Sequence, residues 1–173
     1  MLAYVFSHRP ADGVERAGYE EALRRFHAAL ASASPAGFVA SATYRIGEGY
    51  SDWYLIESSA ALDDLNAAAV SGARSAPHDE AARMAVDGAG KLLSLLAGAP
   101  TAGSGFEFRF AKPAGTGYAD LYSQLQPSTT GRGVSLWRRM MTLGPPPEFC
   151  LVASEPLDLP AVLHAEVLRR EVI

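Results

Sequence analysis

The sequence predicts an α+β fold built from two successive copies of one strand-helix-strand-strand-helix unit. Three observations predict it. Ala3-Tyr4-Val5-Phe6-Ser7-His8-Arg9-Pro10 and Phe106-Glu107-Phe108-Arg109-Phe110-Ala111-Lys112-Pro113 are short strand-like openings, each closed by a basic residue and a proline that cannot extend a ladder. Each opening leads into helical periodicity, then a glycine, then a hairpin pattern. The small-residue stretch 101–105 separates the copies, so the reading divides the 173 residues into 1–100, with an added helical segment at 75–97, and a shorter repeat at 101–173.

Each element has its own signal. In the first copy Asp12 with Glu15 three residues on resembles a capping box, and Tyr19, Leu23, Phe26 and Leu30 recur at helical spacing. Strands follow at 38–46 and 52–57, joined through Gly47-Glu48-Gly49, and Ser59 introduces a helix carrying Leu62, Leu65 and Ala69. In the second copy Tyr118, Leu121, Tyr122 and Leu125 mark a helix that Pro127 should end or kink. Strands are expected at 134–143 and 148–153, and a last helix after Asp158 through Val162, Leu163 and Val167. The segment 75–97 does not repeat. It reads as a helix with an acidic first turn, and Leu92, Leu93, Leu95 and Leu96 fit either a helix face, which is preferred, or a buried strand. A strand there would complete a ferredoxin-like βαββαβ unit.

Composition narrows the function classes. With 49% hydrophobic and 20% charged residues the chain is neither disordered nor fibrous. A net charge of −4 argues against nucleic acid as a partner. The arginine bias fits a high-GC bacterial genome. The start MLAYVFSHRP has no signal-peptide pattern and no apolar run reaches membrane length, so a cytoplasmic protein without a membrane partner is expected. Cys150, the single cysteine, sits among Phe149, Leu151 and Val152 and reads as a structural thiol.

In element order and duplication the chain resembles the dimeric α+β barrel superfamily in its tandem form. That resemblance implies two ferredoxin-like units packed sheet to sheet within one chain, with helices outside, and a monomer or weak homodimer rather than an obligate one. The superfamily contains cofactor-independent monooxygenases, chlorite dismutase-like haem proteins, EthD-like proteins and stress-responsive barrels. Its monooxygenases pair a tryptophan, an asparagine and an arginine inside the barrel, whereas the sole asparagine here, Asn66, falls on a predicted helix.

Strand alternation selects the candidate site residues. If Phe106, Phe108 and Phe110 pack under helices, and Ala3 aligns with Phe106, then Tyr4, His8, Glu107 and Arg109 turn towards the barrel, as ion pairs or polar anchors of a ligand pocket. Arg45 and Trp137 join them from the second strands, and one of Arg138 and Arg139 enters the barrel or its mouth, where a guanidinium could hold a carboxylate or enolate oxygen. Trp53 and Trp137 read as core or interface packing in preference to stacking platforms. His27 and His164 read as solvated. His78, followed by Asp79 and Glu80, has the neighbours of a general base but also of a helix cap. The histidines lack metal-ligand spacing and the glycine-rich runs lack a phosphate-loop lysine, so no metal and no cofactor is expected. The leading expectation is a small, partly aromatic organic ligand bound in or at the mouth of the barrel. The alternatives are a cofactor-independent monooxygenase- or isomerase-like enzyme, with His8 or His78 as base and Arg139 as oxyanion support, and an assembly protein with a filled barrel.

Overall fold

The computed structural model of the chain describes residues 1–141 and 143–173. Eight strands and four α-helices follow the order β1 (Leu2–Pro10), α1 (Arg16–Ser32), β2 (Phe38–Ile46), β3 (Gly49–Ile56), α2 (Ala61–Ala69), α3 (Ser75–Met84), β4 (Ala85–Gly98), β5 (Gly105–Phe110), α4 (Tyr118–Thr129), β6 (Val134–Arg139), β7 (Phe149–Ala153) and β8 (Glu166–Val172). All neighbouring strands are antiparallel and they close into one barrel, in the order β1-β3-β2-β8-β5-β7-β6-β4. Read from β4, the first half runs β4-β1-β3-β2; read from β8, the second runs β8-β5-β7-β6. Each is the ferredoxin-like arrangement, and the seams β2/β8 and β4/β6 join them into an intrachain α+β barrel.

Two expected helices are strands, and closure is the reason. Residues 91–97 belong to β4, whose N-terminal part pairs with β1 and whose C-terminal part pairs with β6 across the seam. Its Lys91 and Leu93 face the barrel while Leu92 faces the helices. Residues after Asp158 form only one 3-10 turn, Ala161–Leu163, and then β8, which pairs with β5 on one side and β2 on the other. A helix in either place would leave two strand edges open. Gly88 and Gly90 allow β4 to pass close to β1: a side chain on either would strike the rings of Phe6 and Tyr4. Pro127 does not end α4, which continues to Thr129. The strand expected at 134–143 ends at Arg139, and position 142 lies outside the described residues.

The barrel is filled by Ala3, Val5, Tyr44, Trp53, Leu93, Trp137, Cys150 and Val152. Outside it, α1, α2 and α3 cover the first half, with Tyr19, Leu23, Phe26 and Leu30 buried at helical spacing as the sequence predicts. The second half has α4 alone. There Leu121 and Leu125 pack on Phe108, Phe110, Leu136, Phe149 and Leu151, and Leu157, Leu159 and Leu163 of the connection to β8 complete the cover. No helix among the described residues is long and apolar enough to cross a membrane.

Candidate functional site

The hydrogen-bond registers of the two halves superimpose when Tyr4, Phe6 and His8 are matched with Phe106, Phe108 and Phe110. The same offset then matches Asp52 with Leu151 and Thr43 with Leu136, and the β1/β4 pair Ala3/Leu93 coincides with the β5/β8 pair Gly105/Arg170. This is one residue away from the alignment read off the sequence, and a one-residue slip turns every side chain to the other face. Glu107 and Arg109 therefore do face the barrel, but Tyr4 and His8 do not: they face the helices.

That face of the first half encloses a cavity of about 440 Å³, lined by Tyr4, Phe6, His8, Tyr19, Leu23, Phe26, Asp52, Tyr54 and His78, with α2 and α3 residues including Leu65, Asn66, Ala69 and Ala81 on the far side. Its volume is that of an ordinary small-molecule site. This cavity lies outside the barrel, under the helices.

Asp52 is the centre of its polar wall. The residue is 3% exposed, and its carboxylate accepts hydrogen bonds from Thr43 Oγ1 at 2.6 Å and from the Tyr54 hydroxyl at 3.1 Å. His8 Nε2 lies 3.2 Å from Oδ2 and His27 Nε2 lies 3.5 Å from Oδ1, neither in line for a well-formed hydrogen bond, so both contacts are chiefly electrostatic. Burial pushes this carboxyl up, but the two imidazoles more than reverse it and hold Asp52 well below the usual carboxylate range. The remaining ring nitrogens are fixed from behind. Tyr19 OH is 2.6 Å from His8 Nδ1, and Ser41 Oγ is 2.6 Å from His27 Nδ1. Burial and the charge of Asp52 push the Tyr19 phenol up, so it stays a neutral hydroxyl. Asp52, His8 and Tyr19 form a continuous polar chain reaching the cavity.

The other sequence candidates separate. His78 lies within α3, not at its cap; it is 31% exposed, touches Asp79 Oδ1 at 3.1 Å and packs edge-on against Phe26 at the cavity wall. Arg45 is on the helix side, bound to Glu20 and Glu171. Trp137 is in the barrel against Trp53. Arg138 points to α4, donating to Tyr122 OH and lying over Tyr118. Arg139 is spent on the carbonyls of Met141 and Gly144. Neither arginine lines the cavity that holds His78, so the expected His78-arginine site is not assembled. His27 is not solvated, its side chain being 10% exposed beside Asp52. The sequence reading does not pick out Asp52 or Tyr19 as site residues; the available signal is a carboxylate in the otherwise uncharged, largely buried strand Gly49–Ile56. Among the described residues, no group of three or more side chains is arranged to hold a metal ion.

Comparison with known proteins places the architecture. No protein-family model matches the chain, and no curated protein matches it in sequence. Among solved structures it is similar to a chlorite dismutase-like protein, with a TM-score of 0.59 and 10% identity over 99% of this chain and 94% of that one. It is also similar to an anthrone oxidase-like protein, with a TM-score of 0.55 and 11% identity over 99% of this chain and 91% of that one. At these identities the likeness establishes the fold alone.

Proposed function

We propose that the chain binds a small, partly aromatic, hydroxyl-bearing molecule in the cavity between the first-half sheet and α1, α2 and α3. The observation that carries this reading is the buried Asp52-His8-Tyr19 chain opening on an aromatic-walled space, at positions where the second half places a leucine and phenylalanine core. A buried carboxylate with two imidazoles is expensive to build, and apolar packing would fill the same volume at less cost. The rings of Tyr4, Phe6 and Phe26 offer edges and faces to a planar guest. Tyr19 OH, donating to His8 Nδ1, has a free lone pair for a hydroxyl of that guest.

The same chain favours acid–base chemistry as a second reading: a proton given up by the guest to Tyr19 oxygen would be matched by transfer of the Tyr19 proton to His8, with Asp52 stabilising the resulting imidazolium. Small-molecule and enzyme-like roles are both compatible with the two structural neighbours.

The test uses 2-naphthol and its methyl ether as probes in equilibrium dialysis. Saturable binding of 2-naphthol, weaker binding of the ether, and loss of binding in Ala69→Phe, which occupies part of the cavity, are expected. Equal affinity for both probes in wild type and His8→Asn removes the role given to the polar chain. Absence of saturable binding, or binding unaffected by Ala69→Phe, overturns the site.

A further inference from the structure

A second cavity, of about 230 Å³, lies on the other side of the sheet, at the end of the barrel beside the crossing of residues 100–102. Tyr44, Trp53, Trp137 and Arg170 line it, with Leu55 and Val152 as apolar walls. Two of its polar groups have no partner. Arg170 is 2% exposed and Trp53 5% exposed, yet Arg170 Nε and Trp53 Nε1 each donate to nothing. Trp137 Nε1, by contrast, is satisfied by Ser135 Oγ at 2.8 Å. Buried donors without acceptors are rare because each forfeits its hydration. Both orphans here are pure donors lining the same space.

The charge balance of the interior has the same sign. Glu107 is the buried carboxylate of the barrel, and its Oε2 is taken by Arg109 through two hydrogen bonds of 2.8 and 3.0 Å. Arg170 approaches the other oxygen only to 3.8 Å, beyond hydrogen-bond reach. Lys91 adds a further buried amine near Glu107 and Cys150, and burial holds its ammonium below the ordinary lysine range. Glu166 helps Arg109 from an exposed position on β8. Arg109, Arg170 and Lys91 against Glu107 and Glu166 leave one positive charge in excess, and Arg170, 3.8 Å from Glu107 Oε1, is the less closely paired of the two guanidinium groups. Its guanidinium carbon sits 3.3 Å over the Tyr44 ring and 5.2 Å from the Trp53 ring, which fixes the fork in place. The equivalent position in the first half is Leu93, an ordinary core residue. The arginine is therefore an addition to the barrel and not a requirement of its closure.

We propose that this barrel-end cavity is a binding site for a small planar carboxylate, its oxygens received by Arg170 and Trp53 Nε1 and its ring held against Trp53 and Trp137. An anion supplies the missing acceptors and cancels the surplus charge, and the apolar walls suit a single aromatic ring. This site is separate from the cavity under the helices, and its existence does not depend on the function proposed for that cavity.

The chain's two tryptophans both line this cavity, so intrinsic fluorescence reports on it directly. The probes are benzoate and benzamide, which share a shape and differ in charge. Benzoate should change the tryptophan emission saturably, with benzamide about tenfold weaker or more, as a charge-assisted hydrogen bond implies. Trp53→Phe keeps the ring face and removes the donor; it should weaken benzoate about tenfold while Trp137 still reports. Equal affinities for the two probes, or no saturation by benzoate up to ~10 mM, a very weak limit, overturns the proposal. If Trp53→Phe does not fold, the benzoate to benzamide ratio on the native chain decides alone.

Discussion

Replacing Asp52 by asparagine keeps the shape of the side chain and removes its charge, which makes the Asp52→Asn variant the sharpest probe of the polar wall. Oδ1 faces Thr43 at 2.6 Å and His27 at 3.5 Å; Oδ2 faces Tyr54 at 3.1 Å and His8 at 3.2 Å. An amide nitrogen in either place confronts groups arranged around an acceptor. The loss is one charge-assisted hydrogen bond, about 1.5–3 kcal/mol, and the weakening of both imidazole contacts; a donor stranded in the interior adds to it. Together these put the cost at roughly 3 kcal/mol, near the lower end for breaking a buried charge cluster. For a chain of this size that lowers Tm by about 6–12 °C. The pH dependence has a fixed sign. The folded carboxyl is held below its unfolded value of about 3.9, so its contribution is complete above about pH 5 and is lost as pH falls towards the depressed folded value. The gap between wild type and Asp52→Asn should therefore narrow as the pH falls below about 4. Urea unfolding followed by tryptophan fluorescence at pH 7, 5, 4 and 3 measures it. A gap under about 0.5 kcal/mol at pH 7, the size of an ordinary surface substitution, would refute the reasoning, as would a gap that does not narrow in acid.

Three further outcomes follow from the packing. Cys150 is buried and its thiol pushed up by burial and by the Glu107 carboxylate, so a thiol reagent such as dithionitrobenzoate should fail to label the native chain and should label one thiol in denaturant; rapid native labelling contradicts the described barrel. Gly98→Ala places a side chain on a residue with φ +77° and drives it into the Val134 carbonyl, at the β4/β6 seam, and should cost more than about 2 kcal/mol by thermal or chemical unfolding. The triple variant His8→Phe, Thr43→Leu and Asp52→Leu copies Phe110, Leu136 and Leu151 of the second half. With Tyr19→Phe, His27→Leu and Tyr54→Phe added, so that no member of the cluster is left without its partner, it should approach wild-type stability in the same unfolding assay while abolishing 2-naphthol binding, because apolar replacement of a whole buried polar cluster is often neutral or better.

The fold was legible because its signals are local. The strand-to-helix openings, the Gly47-Glu48-Gly49 turn and the Tyr19 to Leu30 periodicity each lie within a few residues, and they suffice to define the duplicated unit. What was not legible is non-local. Lys91 to Ala97 and Glu166 to Val172 are strands because each stands between two open edges, a fact about the assembled barrel that periodicity cannot convey. The face assigned to His8 failed for a related reason. Matching Pro10 with Pro113 is the natural alignment by eye, but the ladders match His8 with Phe110 and so Pro10 with Lys112, because the second opening carries one more residue before its proline. That one-residue difference in length puts Tyr4 and His8 on the helix face instead of the barrel face and hides their meeting with Asp52.

The corrected register also locates where the two halves have diverged. On the helix side, Phe110, Leu136 and Leu151 are a sealed core under α4, and their first-half equivalents His8, Thr43 and Asp52 are the wall of a cavity. On the barrel side the asymmetry reverses: Leu93 of the first half is ordinary core, and its equivalent Arg170 brings a buried charge. Closure of the barrel asks only that the strands pair and that each face be filled, and the apolar copy at each position shows that hydrocarbon is sufficient. Polar residues at such positions lower the efficiency of packing and carry desolvation costs that the fold does not require. They are concentrated at two cavities and absent from the corresponding sealed positions, which is the distribution expected when recognition of a guest, rather than stability of the scaffold, selects the residue. In this chain one half carries the Asp52 cluster and the other carries the Arg170 guanidinium, so at each of these positions one half keeps an apolar residue that fills the structure while the other holds a polar one beside a cavity.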